Sequence, residues 1–211
     1  MNKQTGLNNK GMSLIELMVV LIVSSILVAG IYRLFVAQGK AYTIQDQVVE
    51  VQQNVRSAME ILLRDLRMAG YDDDRTTAVI VPTPPVVPGN RAITLRYEYS
   101  NALYEIRYWM DENMRLMRQE TKNGASTTEP LLDRIEGLTF SYGIDYDATD
   151  GNEDGAIDSW EDNPTKIGCK KVIAVRAGLT ARPMVTAQDV KSMAPRTLVS
   201  TVSFRNLSMV R

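Results

Sequence analysis

The stretch that decides the fold is residues 11–36, GMSLIELMVVLIVSSILVAGIYRLFV. From Leu14 to Val36 it is apolar apart from Glu16, Ser24, Ser25, Gly30 and Arg33. At about 1.5 Å per residue, a helix over this run is long enough to cross a bilayer. Lysines at positions 3 and 10 precede the run, so we expect the N-terminus on the cytoplasmic side and the rest of the chain outside.

Glu16 is the unexpected residue of this run, because a charge inside a bilayer costs roughly 2.5–3.5 kcal/mol or more. A cleaved signal peptide would need small residues at a cut after the apolar core. Residues 28–30, Val-Ala-Gly, fit that rule poorly, and the apolar run continues past them. An ordinary signal anchor accounts for the length of the run but not for Glu16.

Residues 11–16, GMSLIE, resemble the processing site of type IV prepilins and of type II secretion pseudopilins. The resemblance implies that residues 1–11 are a leader peptide, that a prepilin peptidase cleaves after Gly11, and that Met12 is then N-methylated. Met12 departs from the family, in which Phe is commoner at this position. Glu16 becomes the fifth mature residue, where the family has a glutamate for assembly. A buried carboxylate is tolerated when it is paired, here with the terminal amine of a neighbouring subunit.

A long helix is predicted from Met12 to Ala69, with residues 12–36 as its membrane or filament-core part and residues 37–70 as its amphipathic part. Apolar residues recur at steps of three or four, which is typical of a helix with one buried face. These residues are Ile44, Val48, Val51, Val55, Ala58, Leu62, Leu66 and Ala69. A coiled coil is the alternative, but the stripe is only about four heptads long, and packing on a globular domain is favoured. Gly70 is expected to end the helix.

Residues 71–211 are predicted to form a β-rich head. The proline-rich stretch 81–89, VPTPPVVPG, indicates a connector because proline breaks helices and central strands. Apolar and polar residues alternate before and after Ser100-Asn101, which predicts a hairpin. Further strands are expected at 115–119, 138–142, 172–179 and 197–207. The predicted class is α+β, the type IV pilin fold: a long helical spine packed under an antiparallel sheet.

Two further stretches resemble the PilW-type minor pilins, which are related to pseudopilin J of type II secretion. They are LLRDLRMAGYD at residues 62–72 and RTLVSTVSFRNL at residues 196–207. The resemblance implies four kinds of partner: other minor pilins, the major pilin, the prepilin peptidase and the inner-membrane platform protein.

The segment 145–164 is strongly acidic, with eight carboxylates and no lysine or arginine. Residues 150–161 fill each ligand position of the twelve-residue EF-hand loop, and hard oxygen ligands of this number suit Ca²⁺. The expected ligands are Asp150, Asn152, Asp154, the carbonyl of Ala156, Asp158 and Glu161. Gly155 occupies the sharp turn, and Ile157 is expected to tuck inward. The flanks do not read as helices, so we expect a structural calcium loop on a sheet domain. A solvated acidic loop is the alternative.

Composition argues against catalysis. The chain has no histidine, one cysteine (Cys169) and a net charge of −1. It therefore lacks the commonest general base, has no intramolecular disulfide, and shows no global field that favours nucleic acid. We expect a lone thiol, no enzyme activity and no nucleic-acid partner.

The resulting prediction is a minor pilin of the priming or tip complex of a type IV pilus. It is expected in the bacterial inner membrane, with the head in the periplasm, and then at the cell surface. Two alternatives remain open: a type II secretion pseudopilin, and a calcium-dependent adhesin carried on a pilin stem.

Overall fold

The computed structural model describes residues 11–73, 81–146, 154–168, 170–183 and 194–208. The chain divides into two compact units, residues 1–46 and residues 47–211. The boundary between them lies within one helix, so each unit contains a part of that helix.

The helix α1 runs from Leu14 to Met68. It begins two residues later than predicted, because residues 11–13 are not helical. The predicted stop at Gly70 is confirmed. Gly70 has φ +69°, in the left-handed region where glycine carries no steric penalty.

Five strands form the first sheet, an antiparallel meander in the order β1-β2-β3-β4-β5. Their bounds are β1 Val86–Pro88, β2 Ala92–Tyr99, β3 Ala102–Met110, β4 Leu116–Lys122 and β5 Ala125–Leu132. The predicted turn at Ser100-Asn101 joins β2 to β3, and both residues have positive φ, as tight hairpin turns require.

Four strands form the second sheet, in the order β7-β6-β8-β9, and every pair is antiparallel. Their bounds are β6 Ile135–Asp145, β7 Ser159–Glu161, β8 Lys171–Ala181 and β9 Arg196–Ser203. A 3₁₀ turn at Pro164–Lys166 follows β7, and the short helix α2, Arg205–Ser208, follows β9.

One hydrophobic core joins the C-terminal part of α1 to both sheets. The buried helix residues are Val55, Ala58, Met59, Leu62 and Leu66, with Ala69 just beyond the helix end. This confirms that the last part of the apolar stripe packs on the chain's own head. Burying a large apolar side chain contributes about 1.5–3 kcal/mol, so this face fixes the helix on the head.

The α+β class is confirmed, but the head contains two sheets where the sequence predicted one. The chain leaves the first sheet at β5, an exposed edge strand that contains Pro130, which has no amide hydrogen for a further ladder. The turn at Asp133-Arg134 then starts the second sheet.

Three strand predictions need correction. The connector at 81–89 contributes a short edge strand, β1, where proline is tolerated. The strand expected at 138–142 continues to Asp145. The strand expected over 197–207 ends at Ser203, because the chain turns there to bury Phe204 and forms α2.

Candidate functional site

The predicted cleavage position lies in an exposed, non-helical segment. Gly11, Met12 and Ser13 precede α1, and Met12 is 67% exposed. The first hydrogen bond of the helix runs from the Leu17 amide to the Ser13 carbonyl, at 3.1 Å. The Gly11–Met12 bond therefore lies outside the helical ladder.

Glu16 is exposed and lies in the first turn of α1. The amides at a helix N-terminus carry partial positive charge, which favours a carboxylate there. The residues that follow are apolar around the whole helix, and their large side chains are 40–78% exposed from Leu14 to Val36. A helix that is apolar on all sides requires lipid or other protein around it.

The first part of α1 is long and apolar enough to span a membrane, and none of its most apolar window is buried within the chain. Every helical amide after the first turn is satisfied within the helix, as a spanning segment requires. This segment brings together the predicted residues Gly11, Met12 and Glu16 within two turns.

A buried charged cluster attaches the second part of α1 to the first sheet. Asp65, on the helix, is 5% exposed. Its Oδ2 accepts a hydrogen bond from the Tyr108 hydroxyl at 2.7 Å and one from Arg118 Nε at 2.8 Å. Arg118 also donates to Glu120 at 2.8 Å and to Glu129 at 3.3 Å, so its guanidinium bridges three carboxylates.

Burial and charge act together on the groups of this cluster. Burial, followed by the charge of Asp65, raises the pKa of Tyr108 far above its usual range. The same two causes raise the pKa of Tyr97 to about 12. Burial lowers the pKa of Arg118, but its hydrogen bonds to Asp65 and Glu120 outweigh that effect and raise it overall. The cluster therefore holds a charged arginine and neutral tyrosines.

The acidic loop joins β6 to β7, and the structure describes its second half. Asp154, Ala156 and Asp158 are exposed, and Glu161 is half-buried at the end of β7. Two other predicted ligands, Asp150 and Asn152, lie outside the described residues, as does Cys169.

Gly155 has φ +84°, as a sharp turn at the sixth position requires. Ile157 packs over Gly143, where an added Cβ would lie 3.4 Å from its side chain, but it remains 38% exposed. The expected inward tuck of Ile157 is therefore only partial.

Three hydrogen bonds fold this half of the loop onto the end of β6. The Asp158 amide donates to the Ile144 carbonyl at 2.9 Å, and the Tyr146 amide donates to Asp158 Oδ2 at 2.7 Å. The Gly155 amide donates to Asp145 Oδ2 at 3.0 Å. Across residues 154–168 and the other described ranges, no three acidic or cysteine side chains lie close enough to hold a metal ion together.

Sequence reasoning missed three buried carboxylates, Asp65, Glu98 and Asp145. Asp65 lies on the apolar stripe, at helical spacing after Ala58 and Leu62. Its position on that face could have indicated that it is buried. Asp145 was counted as part of the acidic loop, but it is the last residue of β6 and is fully buried. Alternation along β6 gave no signal for Asp145, because the buried phase of the strand falls on residues 138, 140, 142 and 144 and Asp145 lies out of that phase. The strand was also expected to end at Tyr142.

Comparison with protein families gives two matches. Residues 6–32 match the prokaryotic N-terminal methylation motif, which includes Gly11, Met12 and Glu16. Residues 103–206 match type IV pilus-assembly protein W, from β3 through the first residues of α2. A search of curated proteins found no match.

The two matched regions do not overlap, and together they cover more than half of the chain. The first match covers the start of the exposed apolar helix, with its N-terminal acid. The second match covers most of the β-rich head. The chain therefore belongs to the type IV pilin-like proteins, among the minor pilins related to type IV pilus-assembly protein W.

Proposed function

We propose that this minor pilin acts in the priming or tip complex that starts assembly of a type IV pilus. A prepilin peptidase cleaves the chain after Gly11 and methylates Met12. The subunit is anchored in the bacterial inner membrane with its head in the periplasm. It is then incorporated into the filament by packing of its apolar helix.

The observation that carries this proposal is the surface of α1 in the first unit. Its apolar side chains are exposed on every side, and a single carboxylate, Glu16, stands at the start of that surface. Such a helix is soluble in lipid and can exchange lipid for the same kind of helix from other subunits, because both surroundings are apolar.

Glu16 sets the register in which the helices of neighbouring subunits pack during this exchange. After cleavage, Met12 would carry the positively charged terminal amine, and Glu16 would carry the opposite charge one helical turn away. In an apolar surrounding an isolated charge is costly, so each Glu16 is expected to pair with the amine of a neighbouring subunit. Subunits that dock out of register would leave both charges unpaired.

The partners that follow are other minor pilins, the major pilin, the prepilin peptidase and the inner-membrane platform protein. The subunit is proposed to work by assembly and not by catalysis. That fits a sequence without histidine and a head whose buried titratable groups, Asp65, Tyr108 and Arg118, are engaged with one another.

Processing is tested with Gly11→Val. An added Cβ at Gly11 would meet nothing within 4 Å, and the same holds at Gly39, so Gly39→Val is the matched control. We expect the Gly11 variant to keep residues 1–11 and to lack the N-methyl group, as read by intact mass spectrometry. The control is expected to be cleaved and methylated. Normal cleavage of Gly11→Val would contradict the assigned position.

Assembly is tested with Glu16→Gln, which keeps the shape of the side chain and removes its charge. Asp46→Asn, an exposed acid on the same helix, is the control. Surface filaments are counted by electron microscopy, and secreted proteins are compared in parallel. Sparse filaments with normal secretion for Glu16→Gln alone are expected. Normal filaments with failed secretion would assign the chain to type II secretion instead.

A further inference from the structure

We propose that the second sheet continues from one head into the next, because the outer edge of β9 binds the outer edge of β7 of a second copy of the chain. The inference rests on the proposed function, in which packing of the α1 helices brings the heads together. It adds a contact between heads that the packing of those helices does not specify.

The strands β7 and β9 are the two edges of the second sheet, and no described strand pairs with their outer sides. The Phe204 amide donates to the Ile173 carbonyl at 2.7 Å, and bonded and unbonded pairs alternate along an antiparallel ladder. By that alternation, the backbone groups of Thr201 and Ser203 point away from β8. No described residue bonds to them, so the edge of β9 offers two amides and two carbonyls to a further strand.

A basic cleft lies beside this edge of β9. It has a volume of about 390 Å³ and lies between the end of α1 and residues 201–206. Its lining includes Arg67, Arg205 and the hydroxyl residues Thr201 and Ser203, and it includes no carboxylate. Arg67 is exposed and forms no ion pair with a described residue. The cleft therefore has the room and the charge to bind an acidic side chain.

The two edges of the sheet carry opposite charge. Segment 194–208, which contains β9, has two arginines and no acid. Segment 154–165, which contains β7, has four carboxylates and no lysine or arginine. Glu161 ends β7, and the exposed Asp162 follows it. Each edge therefore repels its own kind and attracts the other, which favours head-to-tail pairing over pairing of two β9 edges.

The strand directions agree with this pairing. Every neighbouring pair in the order β7-β6-β8-β9 is antiparallel, so β7 and β9 run in opposite directions. A second head placed beside the first in the same orientation therefore presents its β7 antiparallel to β9. Such a head-to-tail contact leaves one edge open at each end, so it can repeat along a filament.

The experiment uses the full chain in detergent, with Cys169→Ser to remove the native thiol. One version carries Thr201→Cys in β9, and another carries Ser159→Cys in β7. The two versions are mixed and treated with a short bis-maleimide. We expect the mixed product to exceed the product of either version with itself. Thr128→Cys, on the exposed edge strand β5 of the first sheet, replaces the β7 version as the control and should give little mixed product.

Charge reversal tests the role of the cleft. Arg67→Glu in the β9 version is expected to lower the mixed yield about tenfold, because an attraction becomes a repulsion. Glu161→Arg in the β7 version is expected to lower it by a similar factor. The two reversals together should restore the yield to within about twofold of the parent, as in a double-mutant cycle of a direct pair. Arg56→Glu, an exposed arginine of the same helix, is the control and should leave the yield unchanged.

The proposal is overturned if the mixed product does not exceed that of the Thr128→Cys control, or if the β9 version crosslinks mainly to itself. It is also overturned if Arg67→Glu lowers the yield no more than Arg56→Glu does, or if the combined reversal fails to restore it.

A second variant covers the case in which Glu161→Arg fails to fold, as judged by far-ultraviolet circular dichroism. Asp162→Arg then replaces it, and an unchanged yield in that exposed variant contradicts the proposal. None of these measurements depends on filaments. A negative result therefore leaves the assembly test with Glu16→Gln untouched.

Discussion

Replacing Arg118 with alanine tests the attachment of the helix to the head. The change removes the guanidinium that bridges Asp65, Glu120 and Glu129. Asp65 would remain buried with the Tyr108 hydroxyl and a 3.4 Å contact to the exposed Arg64 as its remaining partners. We therefore expect the head to lose a substantial part of its free energy of unfolding.

The magnitude follows from the burial of the pair. Removing one partner of a buried ion pair typically costs about 3–5 kcal/mol, because the other charge is left uncompensated. Tyr108 still donates to Asp65, which places the expected loss near the lower end, at about 3 kcal/mol. Asp65→Asn should cost less, about 1–2 kcal/mol, since Arg118 keeps its two other carboxylates. Either loss is large against a total of about 5–15 kcal/mol.

The measurement is equilibrium unfolding of the full chain by urea, in detergent, followed by tryptophan fluorescence. Trp109 and Trp160 both lie in the second unit, so the signal reports the head. Arg56→Ala is the matched control. Arg56 forms an exposed pair with Glu60, with side chains 78% and 67% exposed, and such pairs contribute about 0.5 kcal/mol or less. An Arg118→Ala loss no larger than that of Arg56→Ala would refute the argument.

Two further predictions concern the head and use the same unfolding measurement. Burial raises the pKa of Tyr142 to about 12, although a hydrogen bond from the Gly89 amide works against the rise. Because the folded state favours the neutral phenol, its stabilisation is complete below about pH 10 and is lost as the pH rises towards 12. Tyr142→Phe should show a smaller alkaline loss than the parent, and equal losses would contradict this. Gly70→Ala should cost about 2 kcal/mol, because Gly70 has φ +69° and an added Cβ would lie 2.4 Å from Leu207 Cδ2. Gly124→Ala, with φ +88° and no atom within 4 Å, isolates the backbone strain and should cost about 1 kcal/mol. Equal losses for the two glycine variants would show that the contact with Leu207 is harmless.

Local sequence rules predicted the elements whose signals are local. The helix could be placed to within two residues at its start and one at its end, because apolar spacing and Gly70 act over neighbouring positions. The hairpin at Ser100-Asn101 followed from alternation and turn residues in the same way. These features need no knowledge of the rest of the chain.

Features that depend on distant pairing could not be read in the same way. The division of the head into two sheets is decided at β5, for which no strand was predicted from the sequence and whose residues are mostly exposed. Glu161 was recognised by its spacing in the loop, but its place in β7 depends on pairing with β6. Asp145 was visible as an acid, yet its burial depends on β8 lying beside it.

The continuity of α1 has a consequence for how such a subunit can leave a membrane. After the first turn, the backbone amides of its apolar part bond along the helix itself, so these amides need no partner from the surrounding medium. Moving the segment from lipid into a bundle of similar helices therefore exchanges one set of side-chain contacts for another, without breaking the ladder. The free-energy cost of this transfer then depends mainly on the two charges of the segment, Glu16 and Arg33. A filament that pairs these charges offsets that cost.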